Sequence, residues 1–255
     1  SEAKNKAIIA SVPDMIFSVT RTGVIHDIKP SGVCLGQPDA RLAGENLSGI
    51  LPAHLVKPAL DAIDQAFISG ELQRFEFYVQ PDGKTSYYEA RVTRAGGEDT
   101  LMIVRDITDR RRSEACDLML LDIAVKVLEE TPLEDILTFT CQQIMAIFDL
   151  KLIWVGRKET AGSVRLFTAG DEATDFVRGL SVRWDETPRG MGPTGTAIRT
   201  GKVQMMQLDD PHAEPWRDKL AEYATAAGMS FPLKVGGMIL GALTVCTDDT
   251  AFWTK

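Results

Sequence analysis

The sequence contains few of the residues that most often bind metals or carry out redox chemistry. Its 255 residues include four cysteines and three histidines, and the cysteines lie far apart in the chain. They form no C-x-x-C pair, so they are typical of free, buried thiols in a reducing compartment rather than of a disulfide or zinc framework. We therefore expect a cytoplasmic protein without a metal site.

Long apolar segments and clusters of basic residues are missing too. No apolar run approaches the roughly 18 residues of a membrane-spanning helix, and the N-terminus has no apolar signal-peptide core. The net charge is −8, with 14 basic and 15 acidic side chains in residues 1–113 and 14 basic and 21 acidic in the remainder. Nucleic-acid binding requires a basic surface that neutralises phosphates, so we expect neither a nucleic-acid partner nor membrane insertion.

Catalytic sequence patterns are also absent. There is no Ser-His-Asp, Cys-His or paired-carboxylate arrangement of defined spacing, and no histidine-kinase, Gly-Gly-Asp-Glu-Phe or Glu-Ala-Leu signature. The run Gly190-x-Gly192-x-x-Gly195 has the spacing of a dinucleotide fingerprint, but Pro193 interrupts it and Gly201 stops the following helix. We interpret this run as a sharp turn whose glycines need positive φ, and we expect no catalytic residue in this chain.

The first half of the sequence reads as an antiparallel sheet with helices inserted. Asp14–Thr20 and Val24–Ile28 alternate apolar and polar residues around the turn Arg21-Thr22-Gly23, which predicts a hairpin. Leu55–Ser69 carries apolar residues at helical spacing. Three further strands are predicted, over Arg74–Gln80, Thr85–Arg94 and Leu101–Ile107.

The second half begins with helices and continues with strands. Residues 113–148 are predicted to form two helices separated at Thr131-Pro132, with Thr131 as the N-cap of the second. A short helix is expected over Thr196–Arg199 and a longer one over Pro215–Ala226. The predicted strands cover residues 152–157, 163–169, 180–184, 203–206, 229–235 and 238–246.

Three local motifs of the first half lie in a familiar order. They are Ser11–Phe17, the segment Arg41–Asn46 that contains Gly44, and Asp106-Ile107-Thr108, which is followed by a basic and acidic helix. This order, over roughly residues 7–108, resembles that of a PAS sensory domain. In such a domain the Asp-Ile-Thr segment leads into a helix that carries a signal onward.

Four segments of the second half carry a second resemblance. They are Gly192–Gly201, Asp209-Asp210-Pro211 with Pro215-Trp216-Arg217, Ser230–Leu233 and Gly241–Val245. Together they resemble a GAF sensory domain over roughly residues 114–255.

The two resemblances imply an α+β fold of two domains, each an antiparallel sheet with flanking helices. Residues 1–110 would form the PAS-like domain with a short N-terminal helix. Residues 111–130 would form a connecting helix that is also the first helix of the second domain. Residues 114–255 would form a GAF-like domain that lacks its final helix. Both ends of the sequence therefore suggest a piece of a longer protein.

The resemblances also imply a function. They indicate the sensory input module of a bacterial signal-transduction protein, a sensor histidine kinase of a two-component system or a diguanylate cyclase-type enzyme, truncated before its output domain. The module would bind a small molecule or a partner and relay that event through the connecting helix. The alternative is a dimerisation or scaffold module that has no small-molecule ligand.

A candidate ligand pocket follows from the GAF resemblance. Six side chains combine apolar and hydrogen-bonding groups, as small-molecule sites do, although core packing alone would account for about half of them. The six are Trp184, Met191, Thr194, Met206, Trp216 and Tyr223. The Asn-Lys-Phe-Asp-Glu signature of cyclic-nucleotide-binding GAF domains is missing.

The connecting helix is predicted to be a relay and a dimer contact. Leu118, Leu121, Val125 and Leu128 follow each other at the spacing of a coiled-coil seam. A second apolar stripe, Leu120, Ile123 and Val127, runs beside it. A helix with two such stripes can pack on the following domain with one and on a second copy of the chain with the other, so we expect a homodimer.

The sequence gives little support for a haem, flavin or bilin cofactor. His54, at the start of a helical stretch, is the only candidate haem ligand, and no C-x-x-C-H motif accompanies it. Cys34 lacks the Asn-Cys-Arg setting of a flavin adduct, and neither Cys141 nor Cys246 has the neighbouring histidine typical of a bilin site. The identity of any cofactor stays open.

Overall fold

The computed structural model describes residues 14–29, 33–34, 37–38, 42–169, 177 and 179–250. The chain divides into two units, residues 1–113 and residues 114–255. The predicted short N-terminal helix and the side chain of Cys34 lie outside what the structure describes.

The sheet of the first unit has five antiparallel strands. Along the sheet they follow the order β2-β1-β7-β6-β5. The strands are β1 Met15–Thr20, β2 Ile25–Lys29, β5 Gln73–Val79, β6 Ser86–Gly96 and β7 Asp99–Asp106. Between β2 and β5 the chain forms two short paired strands and two helices: β3 Val33–Cys34, β4 Gln37–Pro38, α1 Leu47–Ile50 and α2 Ala53–Ser69.

One face of this sheet carries the core of the first unit. Met15, Phe17 and Val19 alternate along β1 and are all buried. Helix α2 covers them with the side chains that recur at helical spacing, Leu55, Ala59, Ile63 and Ala66. The buried residues recur at every second position in the strand and at about every 3.6 positions in the helix, so both sets of side chains lie in one apolar layer.

The β1–β2 hairpin confirms the predicted turn at Gly23. Gly23 has φ of +86°, and a Cβ placed there would lie 2.8 Å from the end of Leu60. Its N–H donates to the carbonyl of Thr20 at 2.9 Å. Only glycine meets both the backbone and the packing requirement at this position.

The second unit contains another five-stranded antiparallel sheet, in the order β10-β11-β12-β8-β9. The strands are β8 Leu152–Lys158, β9 Val164–Ala169, β10 Gln204–Gln207, β11 Ala227–Val235 and β12 Met238–Thr247. The helices are α3 Thr108–Leu128, which begins before the unit boundary, α4 Leu133–Phe148, α5 Pro193–Thr200 and α6 Arg217–Ala221. Short 3₁₀ helices cover Pro188–Gly190 and Pro211–Trp216.

The two faces of this second sheet have different cores. On one face α4 packs on β8 and β9 and buries Cys141 against Ile153 and Val155. On the other face Trp154 and Trp216 lie in a separate apolar cluster with Leu152, Leu180, Leu220 and Cys246. The second cluster surrounds the candidate site described below.

Several local predictions for the second unit were wrong. Residues 180–184 form no strand, since only Ser163 and Arg183 pair there as an isolated bridge. The predicted helix Pro215–Ala226 is a 3₁₀ turn followed by the five-residue helix α6. Thr131 does not cap α4, because Pro132 occupies the N-cap position.

Candidate functional site

A cavity of about 40 Å³ lies within the Trp154 and Trp216 cluster of the second unit. Part of its lining comes from strands β8, β10, β11 and β12, and the rest comes from the helices and connecting segments of the same unit. The lining residues are Trp154, Leu180, Val182, Gly192, Pro193, Thr194, Met206, Gln207, Leu208, Trp216, Leu220, Thr225, Ala227, Gly228, Thr244 and Cys246. The surface is therefore mostly apolar, with three threonine hydroxyls among its polar groups.

Trp216 is fixed in the wall of the cavity by a hydrogen bond and by a close backbone contact. Its indole N–H donates to the carbonyl oxygen of Leu180 at 2.8 Å. A Cβ on Gly192 would lie 2.6 Å from the Trp216 ring, so only glycine leaves room for the indole. The backbone of Gly192 and the carbonyl of Leu180 therefore set the position of the aromatic wall.

Three buried hydroxyls form a closed group beside the cavity. The hydroxyl oxygens of Thr194 and Thr244 lie 2.9 Å apart, those of Ser230 and Thr244 lie 2.7 Å apart, and those of Thr194 and Ser230 lie 3.3 Å apart. All three side chains are buried. Each hydroxyl can both donate and accept a hydrogen bond, so the three groups can satisfy one another without water.

Thr225 differs from these three hydroxyls. It lines the same cavity and is 4% exposed, yet among the described residues its Oγ1 has no hydrogen-bond partner. A buried hydroxyl without a partner destabilises the fold by about 1–3 kcal/mol. An unsatisfied group of this kind in a cavity wall marks a place where a ligand or water can bind.

The structure places three of the six predicted pocket residues in the cavity wall. Thr194, Met206 and Trp216 line the cavity. Met191 and Tyr223 are exposed and lie outside the lining. Trp184 also lies elsewhere, with its indole N–H donating to the carbonyl of Glu159 at 2.7 Å and its ring 4.3 Å from Lys158 Nζ. Whether any of the six contacts a ligand stays a prediction.

Other lining residues were missed from the sequence. Trp154 lies in a strand that was predicted correctly, and a tryptophan in a buried strand was a signal that could have been used. Thr244 and Cys246 alternate along β12 and face the cavity together, but the register that brings them opposite β8 is a long-range feature. Thr225 follows a turn that no sequence pattern indicated.

The glycines of the Gly190–Gly195 run have a role that differs from the prediction. None of Gly190, Gly192 and Gly195 has positive φ, so the interpretation as a positive-φ turn was wrong. A Cβ on Gly190 would lie 1.8 Å from the carbonyl oxygen of Asp185, and a Cβ on Gly195 would lie 2.3 Å from the carbonyl oxygens of Arg183 and Gly190. These glycines are required for close backbone approach.

Arg199 holds this close-packed loop together from helix α5. One guanidinium nitrogen donates to the carbonyls of Trp184 at 3.0 Å, Asp185 at 2.7 Å and Gly190 at 2.6 Å. The Asp185 carboxylate accepts hydrogen bonds from Arg183, which hold the pKa of Asp185 below its usual range. The loop before α5 is therefore organised by two arginines.

The first unit also has a small cavity, of about 30 Å³. Every residue that lines it is apolar, and the lining includes Phe17, Leu55, Phe75, Phe77 and Met102. His54, the candidate haem ligand, is exposed and outside this lining, with its ring 6.2 Å from that of Tyr78. The geometry of the first unit is that of a packed core.

The start of helix α3 is tied to the sheet of the first unit. Asp106 Oδ1 accepts a hydrogen bond from the N–H of Thr108 at 2.8 Å, and Thr108 Oγ1 accepts one from the N–H of Tyr87 at 2.9 Å. Glu76 on β5 accepts hydrogen bonds from Arg110, at 2.8 Å, and from Arg111. The first turn of the helix is thus held by both β5 and β6.

The predicted seam of α3 is exposed. Leu118 and Leu121 are each 64% exposed, Val125 is 51% exposed and Leu128 is 83% exposed. Leu120 and Val127 of the second stripe are exposed as well, and Ile123 is half-buried. Two residues of this helix are buried, Thr108 at its start and Met119.

Within the ranges that the structure describes, no three His, Cys, Asp or Glu side chains are grouped so that they could hold a metal ion. No helix in this part of the chain combines the length and the apolar character that crossing a membrane requires.

The buried cysteines are expected to be unreactive in the folded protein. Burial raises the pKa of both Cys141 and Cys246 to about 12, so at pH 8 only about one thiol in 10,000 is a thiolate. Iodoacetamide should therefore alkylate Cys116, which is half-buried, well before either of them. Peptide mass spectrometry after timed labelling checks this order, with the unfolded protein as the control in which all three react. Labelling of Cys246 as fast as Cys116 would contradict the burial of Cys246 in the folded domain.

Comparison with known families accounts for both units. A model of the PAS fold matches residues 9–112, and a model of the GAF domain matches residues 130–254. No curated protein matches this sequence. The matched ranges agree with the two five-stranded sheets.

Solved structures are similar to parts of the chain or to most of it. A domain of an HTR-like protein from Haloarcula marismortui is 26% identical, with 38% of this chain and 99% of that one covered and a TM-score of 0.31. The chromophore-binding domain of Stigmatella aurantiaca bacteriophytochrome is 12% identical, with 93% and 86% covered and a TM-score of 0.38. The A. aeolicus nlh2 GAF domain is 14% identical, with 55% and 83% covered and a TM-score of 0.43. These TM-scores are low, so the assignment of the two units rests on the family models.

Proposed function

Because the chain is a PAS domain followed by a GAF domain, we propose that it is a sensory input module that binds a small molecule in the GAF cavity. PAS and GAF domains are sensory, non-catalytic domains typical of signal-transduction proteins. The small molecule favours one of two arrangements of α3, and the helix relays that change to an output domain beyond Lys255. Catalysis belongs to that output domain, such as a histidine kinase or a diguanylate cyclase.

The observation that carries this proposal is the cavity between Trp154 and Trp216 with its unpartnered Thr225 hydroxyl. A mostly apolar cavity with a few polar groups is the usual form of a small-molecule site. A ligand shifts a conformational equilibrium only by as much as its affinities for the two states differ. The cavity wall includes residues from both the sheet and the covering loops, so a ligand there can stabilise one arrangement of those loops.

Helix α3 supports the second part of the proposal. Only Ile107 separates the end of β7 from the start of α3, and the helix is 21 residues long. Its first turn is held by Glu76 and Tyr87 of the PAS sheet, while its later turns present the exposed Leu118, Leu121, Val125 and Leu128 seam. We propose that this seam pairs with the same seam of a second copy, so that a change at the helix start alters a dimer contact.

Native mass spectrometry combined with hydrogen exchange tests the proposal. The protein purified under mild conditions should carry a bound small molecule, and Ala227→Leu, which fills the buried wall of the cavity, should not. Removing the molecule should speed exchange of the α3 amides in residues 114–128. An empty cavity in the native protein together with unchanged exchange would contradict sensing and leave the scaffold alternative.

A further inference from the structure

The outer face of the PAS sheet, opposite its core, carries a pair of facing carboxylates. Ala90 and Val92 of β6 are fully buried in the core. Glu89 alternates with them and therefore points to the outer face. In the register of β5 and β6, Glu76 lies directly opposite Glu89. Like charges in directly opposite positions destabilise a sheet, so this pair requires positive charge nearby.

Glu89 obtains its positive charge mainly from the sheet itself. It is 5% exposed, and its carboxylate accepts a hydrogen bond from Arg91 of the same strand. Arg74 of β5 lies within ion-pair distance, with its Nε 3.8 Å from Glu89 Oε1. The hydrogen bond from Arg91 and the charges of Arg74 and Arg110 lower the pKa of Glu89 against the opposing effect of burial. This buried carboxylate is therefore ionised at neutral pH.

Glu76 obtains its positive charge from the start of helix α3. Its carboxylate accepts a hydrogen bond from Arg110 at 2.8 Å and another from Arg111. Arg110 also acts electrostatically on Glu89, so one guanidinium group of the helix compensates both facing carboxylates. Detaching the first turn of α3 would leave the two carboxylates opposite each other without these arginines. Repulsion between Glu76 and Glu89 therefore favours the attached position of the helix.

The charges at this attachment are accessible to dissolved ions. Glu76, Arg110 and Arg111 are all partly exposed. A single exposed ion pair contributes little to stability, but here two guanidinium groups act on one carboxylate that faces a second carboxylate. Salt screens such partly exposed charges. The hydrogen bond from the N–H of Tyr87 to Thr108 joins uncharged groups, so screening should affect it much less.

We propose that Glu76 and Glu89 form an electrostatic latch that holds the first turn of α3 on the PAS sheet and weakens as ionic strength rises. The latch gives the module an input that acts on the helix start without any ligand in the GAF cavity. This proposal goes beyond the proposed function. Every residue of the latch belongs to the first unit, so an empty GAF cavity would leave it intact.

Hydrogen exchange of the α3 amides in residues 111–116, measured by mass spectrometry on the full chain, tests the latch. In the native protein, raising KCl from about 20 mM to about 500 mM should speed this exchange. Glu76→Gln should speed it about fivefold at low salt, the equivalent of about 1 kcal/mol, and should remove most of the response to salt. Glu89→Gln should speed it about twofold, because one of the two facing charges is lost.

Asp61→Asn is the matched control for these variants. Asp61 forms an exposed ion pair with Lys57 in α2 of the same unit. The substitution removes a carboxylate from a surface ion pair away from α3, so exchange in residues 111–116 should stay at the native rate at both salt concentrations. Circular dichroism checks that each variant is folded.

Two substitutions on the helix test the facing pair even if the buried Glu89→Gln variant does not fold. Arg110→Gln removes a charge that acts on both carboxylates, whereas Arg111→Gln removes a charge that contacts Glu76. Both should speed exchange in residues 111–116, and Arg110→Gln should do so more strongly. Equal effects of the two substitutions would overturn the role of the facing pair.

The remaining outcomes decide whether charge holds the helix start at all. Native exchange rates in Glu76→Gln, or the same salt response in this variant as in the native protein, would show that the hydrogen bonds of Thr108 are sufficient and would overturn the latch. Native rates in a folded Glu89→Gln variant, together with faster exchange in Glu76→Gln, would overturn the pairing of the two carboxylates. A ligand found in the GAF cavity changes neither result, so the latch and the proposed function are tested separately.

Discussion

Replacing Gly195 with alanine is expected to lower the free energy of unfolding of the GAF domain by about 3 kcal/mol. The new methyl group would lie 2.3 Å from two carbonyl oxygens, those of Arg183 and Gly190. Both belong to backbone, and Gly190 is further held by Arg199, so neither can move without breaking other contacts. The clash therefore has to be relieved by displacing the loop that covers the cavity.

Tryptophan fluorescence measures this loss of stability in the GAF domain. All four tryptophans follow residue 113, so a denaturation curve followed by their emission reports on the second unit alone. Gly179→Ala is the matched control, because the nearest atom to its new Cβ is the flexible end of Lys219, at 3.1 Å. A Gly195→Ala midpoint equal to that of Gly179→Ala would mean that the close backbone approach is not needed for stability.

The double substitution Leu118→Glu and Leu121→Glu is expected to weaken self-association at least about a hundredfold. Burying a leucine side chain contributes roughly 1.5–3 kcal/mol, and each chain would lose two such contacts and gain like charges across the seam. Glutamate is a good helix former, and both positions are 64% exposed, so α3 itself should persist. The mean sedimentation coefficient should fall to that of a monomer.

Analytical ultracentrifugation over a range of concentrations measures this change. Leu72→Glu is the control, since Leu72 is 54% exposed but lies before β5 in the PAS domain. It introduces the same side chain at a comparable exposure and should leave association unchanged. A native chain that sediments as a monomer at all concentrations, or a double variant that still forms dimers, would contradict the seam as a dimer contact.

The sheet-forming segments could largely be predicted from the sequence because their signals are local. The alternation in β1 and the turn at Gly23 are enough to define the first hairpin, and the helical spacing over Leu55–Ser69 is enough to predict helix α2. Tandem sensory domains could likewise be assigned from short motifs. These features are determined by residues that are close together in the sequence, so hydrophobic periodicity predicts them.

The covering loops of the GAF domain could not be predicted, because distant side chains hold them. Residues 180–184 carry strand-like residues, but Arg189 and Trp216 both donate to the carbonyl of Leu180 and the segment remains irregular. The helix expected to Ala226 ends at Ala221, and Ala224 adopts positive φ before Thr225. Half of the cavity wall depends on these loops, so the sequence does not indicate Thr225, whereas the predicted Met191 and Tyr223 lie outside the lining.

Because helix α3 follows strand β7 almost directly, the number of residues before the leucine seam determines the direction in which that seam faces. Only Ile107 separates the last strand residue from the first helical residue, and each residue of an α-helix advances the chain by about 100° around the axis and 1.5 Å along it. One inserted residue after Thr108 would turn the whole leucine seam by more than a quarter circle, whereas seven would return it nearly to its starting direction. Relatives of this module that vary the length of the helix should therefore do so in steps close to seven residues.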